Sequence, residues 1–253
     1  MNAPAHPASR LLPLEVQGPA GRIEALIQER EGEAPPFVAV ICHPHPLYGG
    51  TMHNKVTHRV ASTLFARGAV VLRFNFRGVG RSEGVHDRGR GELQDAVVML
   101  DWLRRRHPAA RAWVAGFSFG SWVASRVAAS ELAVERLVLV APPVHTQTFE
   151  EMRTCPVPKL VVQGAADEVC RPENLARVFP LWAEPKRLEM VEGASHFFDR
   201  KLSELGAALE RGGQCRRHSQ QRCARDSHLD AWRSAADQLT HRRDTLDAAA
   251  QHD

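Results

Sequence analysis

The stretch that most constrains this chain is Ala112-Trp113-Val114-Ala115-Gly116-Phe117-Ser118-Phe119-Gly120-Ser121. An apolar strand pattern runs into Gly-x-Ser-x-Gly and straight on into the helical pattern of Trp122, Val123, Ser125, Val127 and Ala128. A serine held between those two elements sits on a sharp, strained strand-to-helix turn. Positions two before and two after it must lack side chains so that strand and helix can approach. Gly116 and Gly120 meet that need. The turn lifts the Ser118 hydroxyl above the sheet edge and sets the first amides of the helix, Phe119 N–H among them, beneath any oxyanion that forms. The same pattern also arises in glycine-rich turns, so its meaning depends on partners elsewhere in the chain.

The rest of the sequence supplies a sheet for this turn to stand on. Leu11–Val16 and Arg22–Gln28 alternate apolar with polar and are predicted as half-exposed antiparallel strands. Six further strands are predicted at Phe37–Cys42, Ala69–Asn75, Ala112–Phe117, Arg136–Ala141, Leu160–Gln163 and Leu188–Val191. Several are almost wholly apolar, as strands covered on both faces must be. Helical spacing occupies Asn54–Arg67, Gly91–Arg106, Phe119–Ala129, Pro172–Trp182 and Phe198–Leu209. This alternation implies an α/β chain: a mostly parallel sheet of about eight strands with helices on both faces.

Parallel strands direct their carboxyl ends to one edge, and two of the turns at that edge carry the partners a serine nucleophile needs. Strand Leu160–Gln163 is followed by Gly-Ala-Ala-Asp167-Glu-Val, and strand Leu188–Val191 by Glu-Gly-Ala-Ser-His196-Phe-Phe. Histidine can take the serine proton and return it to a leaving group, while a carboxylate fixes its tautomer and stabilises imidazolium. Asp199 competes with Asp167 for that role, but it is expected on the following helix with a poor direction. Glu168 would point elsewhere from the same turn. Ser121 and Ser195 read as ordinary helix-start and loop serines.

With Ser118, Asp167 and His196 in this order, the chain resembles an α/β-hydrolase. It is similar in particular to a group of small, capless bacterial cytoplasmic hydrolases. The stretches carrying that likeness are His43-Pro-His45-Pro-Leu47-Tyr-Gly-Gly-Thr-Met-His53-Asn-Lys-Val56, Arg73-Phe-Asn-Phe-Arg77-Gly-Val-Gly-Arg-Ser-Glu-Gly84, and the Gly-Phe-Ser-Phe-Gly turn. The resemblance covers about residues 10 to 210. It implies an α/β-hydrolase fold without a sizeable cap, and a second oxyanion donor in the loop after the third strand. Pro44 and Pro46 have no N–H, so that donor is His45 or Leu47; the family's loop position favours His45. Four histidines (His43, His45, His53, His58) stand close together here, but no acidic residue or cysteine at ligand spacing joins them, so a metal is not expected. Gly78-x-Gly80 with Gly84 is one residue off a dinucleotide fingerprint and opens no helix, so it is read as a turn; Arg77 beside it is expected to make a structural pair.

Composition bounds the function. There are 253 residues with 33 Lys+Arg against 29 Asp+Glu, a net charge of +4. That excess is too small to imply a nucleic-acid partner. No apolar run would span a bilayer and no secretory signal opens the chain, so no membrane and a cytoplasmic location are expected. Five cysteines at irregular spacings suggest neither disulfides nor zinc, and Cys42 is most simply a small buried hydrophobe. The segments divide as 1–10, an extension; 11–210, the hydrolase domain; and 211–253, a polar tail. The tail carries eight Arg and six Asp among few large apolar residues. It is expected to be disordered, with one marginal amphipathic helix from about 228 to 249 as the alternative. Only 17 residues separate Ala141 from Lys159, where related folds insert a cap. The expected function is a cofactor-free serine hydrolase of small-molecule carboxylic esters or thioesters. A peptidase or amidase on small substrates, and an idle hydrolase fold serving as a binding protein, are the alternatives.

Overall fold

The structure is a computed structural model that describes residues 8–130 and 133–212. The segments 1–7 and 213–253, and with them the proposed tail helix, lie outside the described residues. Eight strands form one sheet in the order β1-β2-β4-β3-β5-β6-β7-β8. They are β1 (Ser9–Gly18), β2 (Gly21–Arg30), β3 (Phe37–Cys42), β4 (Val70–Phe74), β5 (Arg111–Phe117), β6 (Val134–Val140), β7 (Lys159–Gly164) and β8 (Lys186–Val191). β1 and β2 form an antiparallel hairpin, β2 meets β4 antiparallel, and every other pairing is parallel. This is the eight-stranded, mostly parallel sheet with helices on both faces expected from the sequence.

Its strands read as apolar runs because both faces are covered. Along β3, Val38 and Val40 face the cluster built with α2 (Arg90–Arg106) and α3 (Phe119–Ala129), including Met99, Leu100, Val123 and Val127. Ala39 and Ile41 face the opposite cluster with α1 (Lys55–Ala66) and α5 (Leu202–Gly212), including Val60, Leu64, Leu205 and Leu209. The period-two alternation of a strand thus feeds two cores at once. α4 (Pro172–Val178) adds Leu175 to the first. Asn54 starts α1, its side chain accepting from the Val56 and Thr57 N–H groups, which satisfies two otherwise orphaned donors.

Two helices differ from the sequence expectation. The Pro172–Trp182 pattern stops being α-helical at Val178 and continues as one turn of 3-10 helix, Phe179–Leu181; Pro180 has no N–H to continue the α ladder. The Phe198–Leu209 pattern becomes a helix only at Leu202. Phe198 and Arg200 both hold positive φ, 53° and 58°, which a right-handed helix excludes. Asp199 therefore lies in the turn before α5 rather than on it. The connection from Ala141 to Pro158 holds one 3-10 turn, Glu150–Arg153, and no larger insertion. No helix among the described residues is long and apolar enough to cross a membrane.

Candidate active site

β5 delivers Ser118 to the carboxyl edge of the sheet on a turn with φ 52° and ψ −122°, a backbone conformation that costs on the order of 1–3 kcal/mol and must be held in place by its surroundings. The Ser118 N–H donates to Val140 O of the neighbouring β6 at 2.9 Å. Its carbonyl accepts from Ser121 N–H at 2.8 Å and Ser121 Oγ at 2.6 Å. The flanking glycines make the close approaches possible. A Cβ on Gly116 would stand 2.0 Å from Gly120 O, and one on Gly120 would stand 2.3 Å from Cys42 O. The first clearance lets helix meet strand, and the second seats the turn against the end of β3. Ser121, read as an ordinary serine, helps to hold the strained carbonyl.

Asp167 follows β7 and His196 follows β8, and the structure brings both to Ser118. Ser118 Oγ lies 3.2 Å from His196 Nε2, and His196 Nδ1 lies 2.9 Å from Asp167 Oδ2. Asp167 and His196 are buried, whereas Ser118 is half-buried. With the Nδ1 proton donated to the carboxylate, Nε2 is left as acceptor for the serine hydroxyl. Asp167 is fully hydrogen-bonded. Oδ1 accepts from the Val169 and Cys170 N–H groups at 2.9 and 2.7 Å, and Oδ2 also accepts from Gln163 Nε2 at 3.1 Å.

The rival carboxylates are elsewhere. Asp199 is exposed, accepts from Lys55 Nζ and from Ser195 Oγ, and the Lys55 ammonium holds its carboxyl below the usual range. Glu168 is exposed.

Gln163 escaped the sequence reading. It is fully buried at the end of β7, and its Nε2 donates to Cys170 O at 2.8 Å as well as to Asp167. One amide thereby clamps both ends of the turn that presents the carboxylate. The available signal was a polar residue closing an otherwise apolar, doubly covered strand.

On the other side of Ser118 the loop after β3 carries His43 to Gly50. His43 is fully buried; its Nδ1 donates to Pro44 O at 2.6 Å and its Nε2 accepts the Phe76 N–H at 3.0 Å. Burial pushes its pKa down to about 4, so it is a neutral strut joining the loops after β3 and β4. The Leu47 N–H donates to His45 Nδ1 at 3.2 Å. Among the described residues neither the His45 N–H nor the Phe119 N–H has a hydrogen-bond partner outside its own helix. The His45 ring packs at 4.7 Å from Phe119, 4.6 Å from Tyr48 and 5.0 Å from His86. Burial, then His86, lowers the His45 pKa.

The next loop, after β4, is structural where it carries Arg77. The guanidinium binds Asp95 through Nε and Nη2, the latter at 2.7 Å, and the Arg77 N–H donates to the same carboxylate. Arg77 is 8% exposed, which removes it from contact with an anionic substrate. Asp167, Cys170 and His196 offer ligand atoms within 4.8 Å of one another. The first and last are engaged in the hydrogen bonds above, and burial raises the Cys170 thiol well above its ordinary range. Both nitrogens of His43 are taken by the backbone.

Comparison with known proteins places this geometry in context. A model for the alpha/beta hydrolase domain matches residues 40–215. An uncharacterised protein of Rickettsia prowazekii (strain Madrid E) is 35% identical over 201 residues, which cover 76% of this chain and 84% of that protein. The structure of an alpha-beta serine hydrolase homologue from Coxiella burnetii is similar at a TM-score of 0.76, with 40% identity over 79% of this chain and 96% of its own. A serine hydrolase described as without lid, from Xanthomonas campestris, is similar at a TM-score of 0.75, with 37% identity over 80% of this chain and 93% of its own.

Proposed function

This chain belongs to the alpha/beta hydrolase family, and from that premise we propose that it is a serine hydrolase of small-molecule carboxylic esters or thioesters, acting through an acyl-enzyme. The observation that carries the reading is the unbroken hydrogen-bonded line Ser118 Oγ, His196 Nε2, His196 Nδ1, Asp167 Oδ2, at 3.2 and 2.9 Å. In this reading Ser118 Oγ attacks the acyl carbon while His196 Nε2 takes its proton. Asp167 orients the ring and stabilises the imidazolium without itself taking a proton. His196 then gives the proton to the leaving oxygen or sulfur, and the acyl group stays on Ser118. Water repeats the sequence, His196 accepting its proton and returning it to Ser118 Oγ as the carboxylic acid departs.

The Phe119 and His45 N–H groups hold the oxyanion. What supports His45 over Leu47 is that the Leu47 N–H is already donated to the His45 ring. Each such donor contributes on the order of 10²–10³ in kcat where it has been removed from other enzymes. The chemistry needs no metal or organic cofactor, and we assign no nucleic-acid or membrane partner. A peptidase or amidase ranks below the ester reading, because an amide leaving group asks more of the same acid and no added domain among the described residues selects peptides by size. A fold retained only for binding would have no use for the aligned serine and histidine.

Short p-nitrophenyl esters should be turned over by the purified protein and not by Ser118→Ala. A fluorophosphonate probe should label Ser118 and add its phosphonyl mass there. Absence of both turnover on an acyl panel and labelling would overturn the reading.

A further inference from the structure

Among the described residues eight large apolar side chains are exposed, and five of them, Leu47, Tyr48, Val85, Val169 and Phe197, lie on loops at the carboxyl edge that surround Ser118. The other three are on the edge strand β1 (Leu11, Leu12) and in the 3-10 turn before β8 (Leu181). Large apolar side chains gathered around a reactive group mark the place where an apolar ligand lies.

Their distribution around the serine is uneven. A tetrahedral carbon on Ser118 Oγ has three other substituents. Its oxygen faces the Phe119 and His45 amides, and its leaving group must face His196 Nε2, which returns the proton. The acyl chain takes the remaining direction. Phe197 stands on the leaving-group flank, 5.1 Å from the His196 ring, with the Lys55 ammonium 5.9 Å from its centre. The three most exposed side chains, Tyr48 (87%), Val85 (77%) and Leu47 (68%), belong instead to the loops that carry His45 and His86, whose rings lie 5.0 Å apart. Tyr48 touches the His45 ring directly, Leu47 binds it through its N–H, and Val85 precedes His86, whose ring is 5.0 Å from His45 and 5.8 Å from Phe119.

We propose that Leu47, Tyr48 and Val85 form an open ledge for the acyl chain, so that the preferred substrates carry linear chains long enough to pass the His45 ring and reach Tyr48. This rests on the acyl-transfer reading above and adds the substrate class to it. No insertion between β6 and β7 covers the ledge. The lowered pKa of His45 keeps its ring uncharged at neutral pH, as an apolar chain lying across it requires.

The test uses the full chain and a ladder of p-nitrophenyl esters from acetate through butyrate and hexanoate to octanoate, each kept below its aggregation concentration. In the wild type kcat/KM should rise by about fourfold for each methylene that reaches the ledge. Tyr48→Ser, Leu47→Ser and Val85→Ser should each lower the octanoate-to-acetate ratio, and the triple variant should lower it at least tenfold. Leu181→Ser, at another exposed apolar position (53%) away from the site, should leave that ratio as in the wild type. An octanoate-to-acetate ratio near one in the wild type, or a ratio unmoved in the triple variant, would overturn the ledge while leaving the hydrolase reading intact. A rate that climbs only above the aggregation concentration would overturn it in favour of docking on a lipid surface. If no ester is cleaved and Ser118 takes no fluorophosphonate label, it is the acyl-transfer reading that fails.

Discussion

The Leu47 N–H donates to the imidazole of His45 two residues before it, at 3.2 Å. The side chain of the residue proposed to offer its amide to the oxyanion therefore closes a small turn in its own loop, and the proline on either side stiffens it. His45→Ala removes the acceptor and should lower kcat by about tenfold, an energy of one modest hydrogen bond. His45→Asn keeps a side-chain acceptor for the N–H two residues on and should recover most of that loss. Equal losses in the two variants would show that the turn is not what positions the amide.

The two carboxylates near His196 should separate cleanly. Asp167→Asn places an amide donor among groups that already donate, and kcat is expected to fall by about 10⁴, the loss seen when a triad carboxylate is neutralised elsewhere. Asp199→Asn should stay within about twofold, because Asp199 is bonded to Lys55 and Ser195 and lies in an exposed turn. Steady-state kinetics on one ester, with circular dichroism as a fold control, decides the assignment.

Gln163→Met retains the shape of the side chain and removes its donor. The Asp167 turn then loses its bonds to Oδ2 and to Cys170 O. A loss of about 2 kcal/mol in stability is expected, since one bond goes to a charged group. A fall in kcat at nearly constant KM should accompany it. Urea unfolding and ester kinetics on the same preparation would measure both, and an unchanged kcat would leave Gln163 a purely structural residue.

The strain at Ser118 makes a prediction of opposite sign for stability and activity. Ser118→Ala should abolish turnover but keeps the Cβ at φ 52°, so its melting temperature should match the wild type. Ser118→Gly is equally inactive and adopts positive φ without strain. It should be more stable than Ser118→Ala by about 1 kcal/mol, the strain relief less the entropy cost of glycine. A glycine variant no more stable than the alanine variant would mean that the turn holds little strain.

His43 links stability to pH. Its pKa is about 4 in the folded protein, against an ordinary value of 6.5. The unfolded chain therefore binds more protons between those values. Stability should be intact above about pH 6.5, fall by about 3 kcal/mol as the pH drops towards 4, and lose nothing further from this residue below that. In His43→Gln the difference in urea midpoint between pH 7 and pH 4.5 should shrink. The same difference in wild type and variant would assign the acid sensitivity to other groups.

Much of this was legible in the sequence because its signals are local. Apolar runs marked the doubly covered strands, and the two turns after Leu160–Gln163 and Leu188–Val191 marked where a carboxylate and an imidazole would meet the serine. What stayed hidden depends on backbone states and on partners far along the chain. Positive φ at Phe198 and Arg200 delays α5, although the apolar spacing of Phe198, Leu202 and Leu205 reads as helix. The engagement of Leu47 by its neighbour's ring has no signature in residue type. Nor could sequence alone tell that Arg77 would be enclosed by Asp95, although the pairing itself was expected.

The order of the sheet also has a bearing on how the protein is made. Ser118 is translated on β5 well before Asp167 and His196 arrive on β7 and β8, and those strands add outward in turn to the edge of the sheet. A nascent or broken-off chain that stops short of β8 carries a serine with nothing to deprotonate it. In the acyl-transfer reading, ester turnover therefore requires β8 to have docked and the turn after it to have brought His196 to Ser118.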